Sequence, residues 1–313
     1  MNFAETQPAH GAGEFPLDQI VGELRALRAA AQARRYRGAP PELPSRAETV
    51  AAVEGLVAAL YPRHFGPSGL AAREVDSFVT LKLAQSLASL RRQVELELRL
   101  AGEREGRDQA LTRHAGKIVL ELAENLPRVR ALLDADVRAA YVGDPSAKSI
   151  DEVIFCFPGV AAVTRHRLAH LLYRLGAPML ARIVAEKAHS DTGIDIHPGA
   201  EIDEGFFIDH GTGVVIGETA IIGRNVRLYQ AVTLGAKRFA TDSEGKLLKD
   251  YPRHPILEDD VVIYAGATVL GRVTIGKGAS IGGNVWLTHS VAAGAVVTQA
   301  KANEDIFVDG AGI

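Results

Sequence analysis

The spacing of apolar residues changes once along this chain, near residue 193, and separates two kinds of structure. Before that point apolar positions recur at three- and four-residue steps. In LDQIVGELRALRAAAQARRYR (17–37), Ile20, Leu24, Leu27 and Ala31 form the stripe of an amphipathic helix. APPELPS (39–45) ends it, because proline removes a backbone donor and clashes with the preceding turn. Further helices are predicted over 46–60, over 73–101 and from Leu111 toward Tyr141. GDPSAKS (143–149) reads as a turn, and helix resumes over 158–190 around a break at Gly176-Ala177-Pro178.

After residue 193 the step becomes six. Ile196, Ile202 and Ile208 begin a ladder of large aliphatics. Two extra residues intervene, and the ladder continues at Ile216, Ile222, Leu228 and Leu234. A longer interruption follows, and the step returns at Ile263, Val269, Ile275, Ile281 and Leu287. A second series runs two positions ahead, from Ile194, Ala200 and Phe206 to Val285 and Val291. Neither the helical period of 3.6 nor the strand period of 2.0 generates six. Short strands joined by tight corners do, as in a solenoid whose coils must stack because no single strand buries its own face. Glycine, as in IGETA, IGRNV and IGGNV, suits the corners. The expected architecture is α+β: a helical N-terminal domain (1–190), a parallel β-helix (191–297) with an inserted loop (235–254), and a flexible tail (298–313).

Composition narrows the class. The 313 residues suit one large or two ordinary domains, and 47% of them are apolar, enough for a core. The net charge of -3 leaves no basic footprint for nucleic acid. A single cysteine, Cys156, excludes an internal disulfide framework. MNFAETQPAHGAGEFPLDQ does not read as a signal peptide, and no uncharged apolar run nears the roughly 20 residues of a membrane helix. A cytoplasmic protein without membrane or nucleic-acid partners is expected.

Chemistry gathers where the ladder is broken. The eight-residue step from Ile208 to Ile216 holds Asp209 and His210, and Asp195 lies fifteen residues before His210. A histidine oriented by a carboxylate suits a general base, and equally a structural hydrogen bond. The long interruption is polar and carries Arg253 and His254. It reads either as a ligand-binding projection or as a solvated loop. Ala265 and Gly283 are eighteen residues apart, one three-strand coil, and stack on one corner.

GIDIHPGAEI, FFIDHGTGVVIGETAIIGRNVRLYQAVTLGA and the later RHP together resemble serine O-acetyltransferases of the hexapeptide-repeat acyltransferases. The likeness is densest over 191–235 and 253–287 and reaches back to GDPSAKS. It implies a left-handed β-helix and acetyl transfer from acetyl-CoA to the hydroxyl of L-serine, in cysteine biosynthesis. It makes His210 the base and Asp195 its orienting carboxylate. Asp144 and Asp209 hold the serine ammonium, and Arg253 holds its carboxylate. His254 is a second active-site histidine beside the hydroxyl, and Ala265 and Gly283 meet the pantetheine arm. The family also implies sites between subunits of a homotrimer or dimer of trimers, no metal, and docking of a C-terminal isoleucine, here Ile313, into O-acetylserine sulfhydrylase.

Some segments depart from that pattern. The loop AKRFATDSEGKLLKDYP is longer and more charged than is usual, Gly211 replaces a common alanine, and the frequent GVPA segment is absent. Three other readings remain at this point. They are a different acceptor, a zinc hydratase using His197, His210 and His254, and a non-catalytic regulator of the sulfhydrylase.

Overall fold

The structure is a computed structural model and describes residues 15–36, 38–101 and 108–299. The predicted tail residues beyond 299, Ile313 among them, lie outside the described residues. Contacts divide the chain into two units, Met1–Leu43 and Pro44–Ile313. The first contains helix α1 (Leu17–Arg35), none of whose residues is buried, so its predicted apolar stripe is exposed at Ile20, Leu24 and Leu27.

The second unit begins with α2 (Arg46–Leu60), the short α3 (Pro62–Phe65), α4 (Val75–Ala101) and α5 (Asp108–Gly143). Then come α6 (Ile150–Cys156), α7 (Pro158–Arg174) and α8 (Pro178–Thr192). The sequence reading missed α3 and α6. For α6 a signal was present: the Ser149 hydroxyl caps the Glu152 amide, and the Glu152 carboxylate accepts from the Lys148 amide. Gly193 closes α8 with φ +69, a left-handed cap that turns the chain into the first strand.

Among the described residues fourteen two- and three-residue strands follow, all pairing in parallel in three sheets. Sheet A stacks β1 (Asp195–Ile196), β4 (Val215–Ile216), β7 (Thr233–Gly235), β10 (Thr268–Leu270) and β13 (Trp286–Leu287). Sheet B stacks β2 (Glu201–Ile202), β5 (Ile221–Ile222), β8 (Ile256–Leu257) and β11 (Thr274–Ile275). Sheet C stacks β3 (Phe207–Ile208), β6 (Arg227–Leu228), β9 (Val262–Ile263), β12 (Ser280–Ile281) and β14 (Val296–Val297). The ladder residues are in register, Ile196 on Ile216 on Leu234 on Val269 on Leu287, and they fill one interior. The structure corrects the resumption point of the ladder. Leu257, buried in β8, restores it one step before Ile263, so the interruption ends at Pro255.

Helices and coils share their packing. Phe207 points out of sheet C into the helical core, while Ala162 and Val163 of α7 belong to the coil core. Gly159 lets α7 lie against β3, since a Cβ there would stand 2.1 Å from the Ile208 carbonyl. A buried clasp fixes the approach. Arg167 of α7 holds Asp136 of α5 through two bonds of 2.6 and 2.8 Å and donates to the Ile202 and Asp203 carbonyls. Asp136 in turn accepts the Phe206 amide. Four of the five N–H groups of Arg167 and both oxygens of Asp136 are used, close to the full satisfaction under which a buried ion pair is tolerated.

Next to the clasp, His166 is buried at 3% exposure with Nδ1 unpartnered among the described residues. Burial, then the nearby His170 and Arg167, hold its imidazole well below the usual 6.5. The unfolded chain therefore binds the proton first, and stability falls as pH drops below about 6.5. The thermal midpoint should decline from pH 7 to pH 5. His166→Phe should flatten the decline, leaving the share of the other depressed histidines (His170, His197 and His254). Equal slopes in melts of the two proteins would contradict this.

Candidate active site

The three sheets meet along three edges, and the predicted site residues lie on two of them. On the edge between sheets C and A, regular corners carry one left-handed residue three positions before the ladder residue: Gly213, Ala231, Gly266 and Asn284. The first of these corners also holds two more, His210 at φ +59 and Gly211 at φ +95. These extra left-handed residues stand in the two-residue insertion. They push the corner outward, and the His210 side chain is 72% exposed. An alanine at Gly211 would set its Cβ 2.4 Å from Ile194 Cδ1, so glycine here is less neutral than the sequence suggests.

Asp209 is buried beside it. Its Oδ2 accepts from Arg227 Nη2 at 2.7 Å, and its Oδ1 is 4.0 Å from His210 Nε2. Arg227, from β6 of the next coil, lies over the rings of Phe207 and Tyr229, and Tyr229 stacks on Tyr264. Asp144 follows the end of α5, and the Ser146 hydrogen bonds hold its carboxyl below the usual range, with Arg227 and His210 adding to the effect. Asp144, Asp209, His210 and Arg227 thus share one edge. Arg227 was missed in the sequence, where its only signal is a cation in an outward strand position eighteen residues after Asp209.

Ala265 and Gly283 stack farther along the same edge, as their spacing predicts. The Ala265 carbonyl accepts the Asn284 amide and lies 3.2 Å from where a Gly283 Cβ would stand. Asp195 differs from expectation. It occupies β1 of sheet A, paired with Val215, and among the described residues no hydrogen bond or ion pair joins it to His210. The His210 side chain is largely exposed to solvent.

Arg253 and His254 close the long insertion on the other edge, between sheets A and B. Each face is a hexapeptide wide at about 3.3 Å per residue, which separates the two edges by up to roughly 20 Å. Arg253 Nη2 donates to Glu218 at 2.5 Å, Nη1 donates to the Tyr251 carbonyl, and Tyr173 donates to the other Glu218 oxygen. Burial raises the Glu218 carboxyl, but the bonds from Arg253 and Tyr173 outweigh it and hold the group below its usual range. Arg272 binds the Thr219 and His254 carbonyls. His254 itself is buried, and its Nδ1 meets the Thr219 amide at 3.1 Å and the Thr219 hydroxyl at 2.9 Å. Burial, then Arg253, push its imidazole down to about 4.

The set His197, His210 and His254 does not converge, since His210 is on the opposite side of sheet A. Among the described residues no group of three ligating side chains could hold a metal ion. Nor is any helix long and apolar enough to cross a membrane.

The seat of His254 depends on Gly217, where a Cβ would stand 2.0 Å from Cδ2 and 2.1 Å from Nε2 of the ring. Gly217→Ala should therefore expel the imidazole or strain the corner, at a cost of about 1–3 kcal/mol. That corresponds to a thermal midpoint lower by roughly 2–10 °C. An unchanged midpoint in a calorimetric melt would show that the ring has another place to go.

Known proteins are consistent with this geometry. The family model described as bacterial transferase hexapeptide (six repeats) matches residues 254–289. A plasmid serine acetyltransferase from Synechococcus elongatus is 54% identical over 275 residues, 87% of this chain and 86% of the relative. Serine acetyltransferase 1 from Entamoeba histolytica, solved in complex with L-cysteine, superposes with TM-score 0.70 at 35% identity, covering 83% of this chain and 88% of that one. A Brucella abortus serine acetyltransferase in complex with coenzyme A gives TM-score 0.53 at 25% identity, over 81% and 94%. The three parallel sheets are those of a left-handed β-helix, as the hexapeptide family implies. With its six-residue ladder, the Asp-His opening on one edge and 54% identity over the 275 residues it shares with the Synechococcus relative, this chain belongs to the serine acetyltransferase family.

Proposed function

We propose that the chain transfers the acetyl group of acetyl-CoA to the hydroxyl of L-serine, giving O-acetyl-L-serine and CoA for cysteine biosynthesis, with His210 as the general base. The observation that carries the assignment of His210 is the left-handed opening at residues 210–211, which presents an exposed imidazole 4.0 Å from Asp209 and within the field of Asp144. A serine hydroxyl is a weak nucleophile at neutral pH. A base that removes its proton during attack on the thioester contributes about 10²–10⁴-fold.

The neighbouring groups take roles that fit their chemistry. Asp144 and Asp209 receive the substrate ammonium. Arg227 occupies one oxygen of Asp209, leaving Oδ1 on the side of His210. Arg253 takes the substrate carboxylate. Two of its five N–H groups are committed, to Glu218 and Tyr251, and three remain for a paired grip. Asp195 orients His210 once substrate draws the ring inward, and Ala265 and Gly283 line the path of the pantetheine arm, where bare corners admit it.

The reading requires more than one copy. His210 and Arg253 stand on different edges, so the C–A edge of one subunit faces the A–B edge of the next in a homotrimer, or a dimer of trimers. The helical domain (1–190) then serves assembly and lends Asp144 to a site otherwise built by the acyltransferase domain (191–297). Ile313 as a docking tail for O-acetylserine sulfhydrylase, and a cytoplasmic location, belong to the same proposal.

Free thiol should appear on mixing the protein with acetyl-CoA and millimolar L-serine, and His210→Ala should lower the rate at least 10²-fold. Thiol release that does not depend on serine, or that survives in His210→Ala, would overturn the assignment.

A further inference from the structure

His254 is the site side chain whose protonation can be read from its hydrogen bonds. The Thr219 backbone amide can only donate, and it meets Nδ1 at 3.1 Å. Nδ1 therefore carries a lone pair. The Thr219 hydroxyl oxygen accepts two further obligate donors, the Arg253 amide at 2.9 Å and the His254 amide at 3.2 Å. With both lone pairs occupied, its own proton is left for Nδ1, at 2.9 Å. Two donors on Nδ1 fix one tautomer of a neutral ring, with the hydrogen on Nε2. Burial, then Arg253, opposes a second proton on the ring. No hydrogen bond joins Nε2 to a protein group among the described residues, and the ring seats beside Gly217 because that residue lacks a side chain.

Such a group can donate a hydrogen bond but is poorly placed to exchange a proton. It suits an oxygen that gains charge only as the reaction proceeds, where a fixed neutral donor needs no reorganisation. Resting on acetyl transfer as the reaction, we propose that His254 Nε2–H stabilises the thioester carbonyl oxygen as it becomes an oxyanion, and transfers no proton. His210 takes the proton of the serine hydroxyl, the new C–O bond forms, and the carbonyl electron pair moves onto the oxygen facing His254. The pair returns, the C–S bond breaks, and the departing sulfur receives the proton from His210. His254 ends as it began. Thr219 is the positioning residue, and Arg253 is left for the substrate carboxylate.

The test compares steady-state kinetics of the full chain with His254→Ala and His254→Gln. Loss of one oxyanion donor lowers kcat by about 10²–10³-fold. His254→Ala should show that loss with the KM for serine changed less than threefold. His254→Gln, whose side-chain amide offers an N–H near the place of Nε2, should recover at least tenfold, and the pH–rate profile should keep its shape in both. Two results would overturn the proposal. One is His254→Gln as inactive as His254→Ala with a limb of the pH profile gone, which makes His254 a proton carrier. The other is a raised KM at constant kcat, which makes it a ground-state binder of serine. Failure of the underlying reading is separate: it shows as His210→Ala retaining serine-dependent turnover.

Discussion

A strand of two residues cannot bury its own face, and every coil of this β-helix depends on being seated on the next. That single constraint explains the regularity of the sequence and the location of its exceptions. Inward positions are held to aliphatic side chains in register, from Ile196 up to Leu287. Any residue added to a coil has to leave at a corner. The two insertions in this chain do so, at residues 209–213 and 236–255, and both carry titratable groups. Chemistry sits where the stacking rule permits irregular backbone, while the stacked faces hold it rigid.

Electrostatics then orders each corner. Arg227 is sandwiched against aromatic rings and clamps one oxygen of Asp209, so the carboxylate is presented rather than free to rotate. On the other edge Glu218 performs the corresponding task for Arg253 and draws in Tyr173 from α7. The helical region therefore reaches both edges: Asp144 at the end of α5 joins one, and Tyr173 on α7 joins the other. The Arg167–Asp136 clasp keeps those helices against the coils.

Much of this was legible in the sequence, because a strict six-residue period has few structural explanations and its interruptions are conspicuous. The opening at Asp209-His210 and the stacking of Ala265 on Gly283 follow from counting alone. The residues missed are those whose partners come from another coil or a helix. Arg227, Glu218 and Arg272 look like ordinary outward polar positions until the register sets them beside Asp209, Arg253 and His254. Leu257 was overlooked because proline and a charged loop precede it. The pairing of Asp195 with His210 came from the family resemblance, since fifteen residues fall short of one coil, and no hydrogen bond or ion pair among the described residues joins the two.

The central claim is that a complete site needs two copies, one giving the edge with His210 and the other the edge with Arg253. Co-expressing His210→Ala with Arg253→Ala tests it directly. Each variant alone should be nearly inactive. In randomly mixed rings one junction in four joins an intact His210 edge to an intact Arg253 edge, so the mixture should regain about a quarter of the parent activity. A mixture as inactive as its parts, with both variants folded and assembled, would contradict the account.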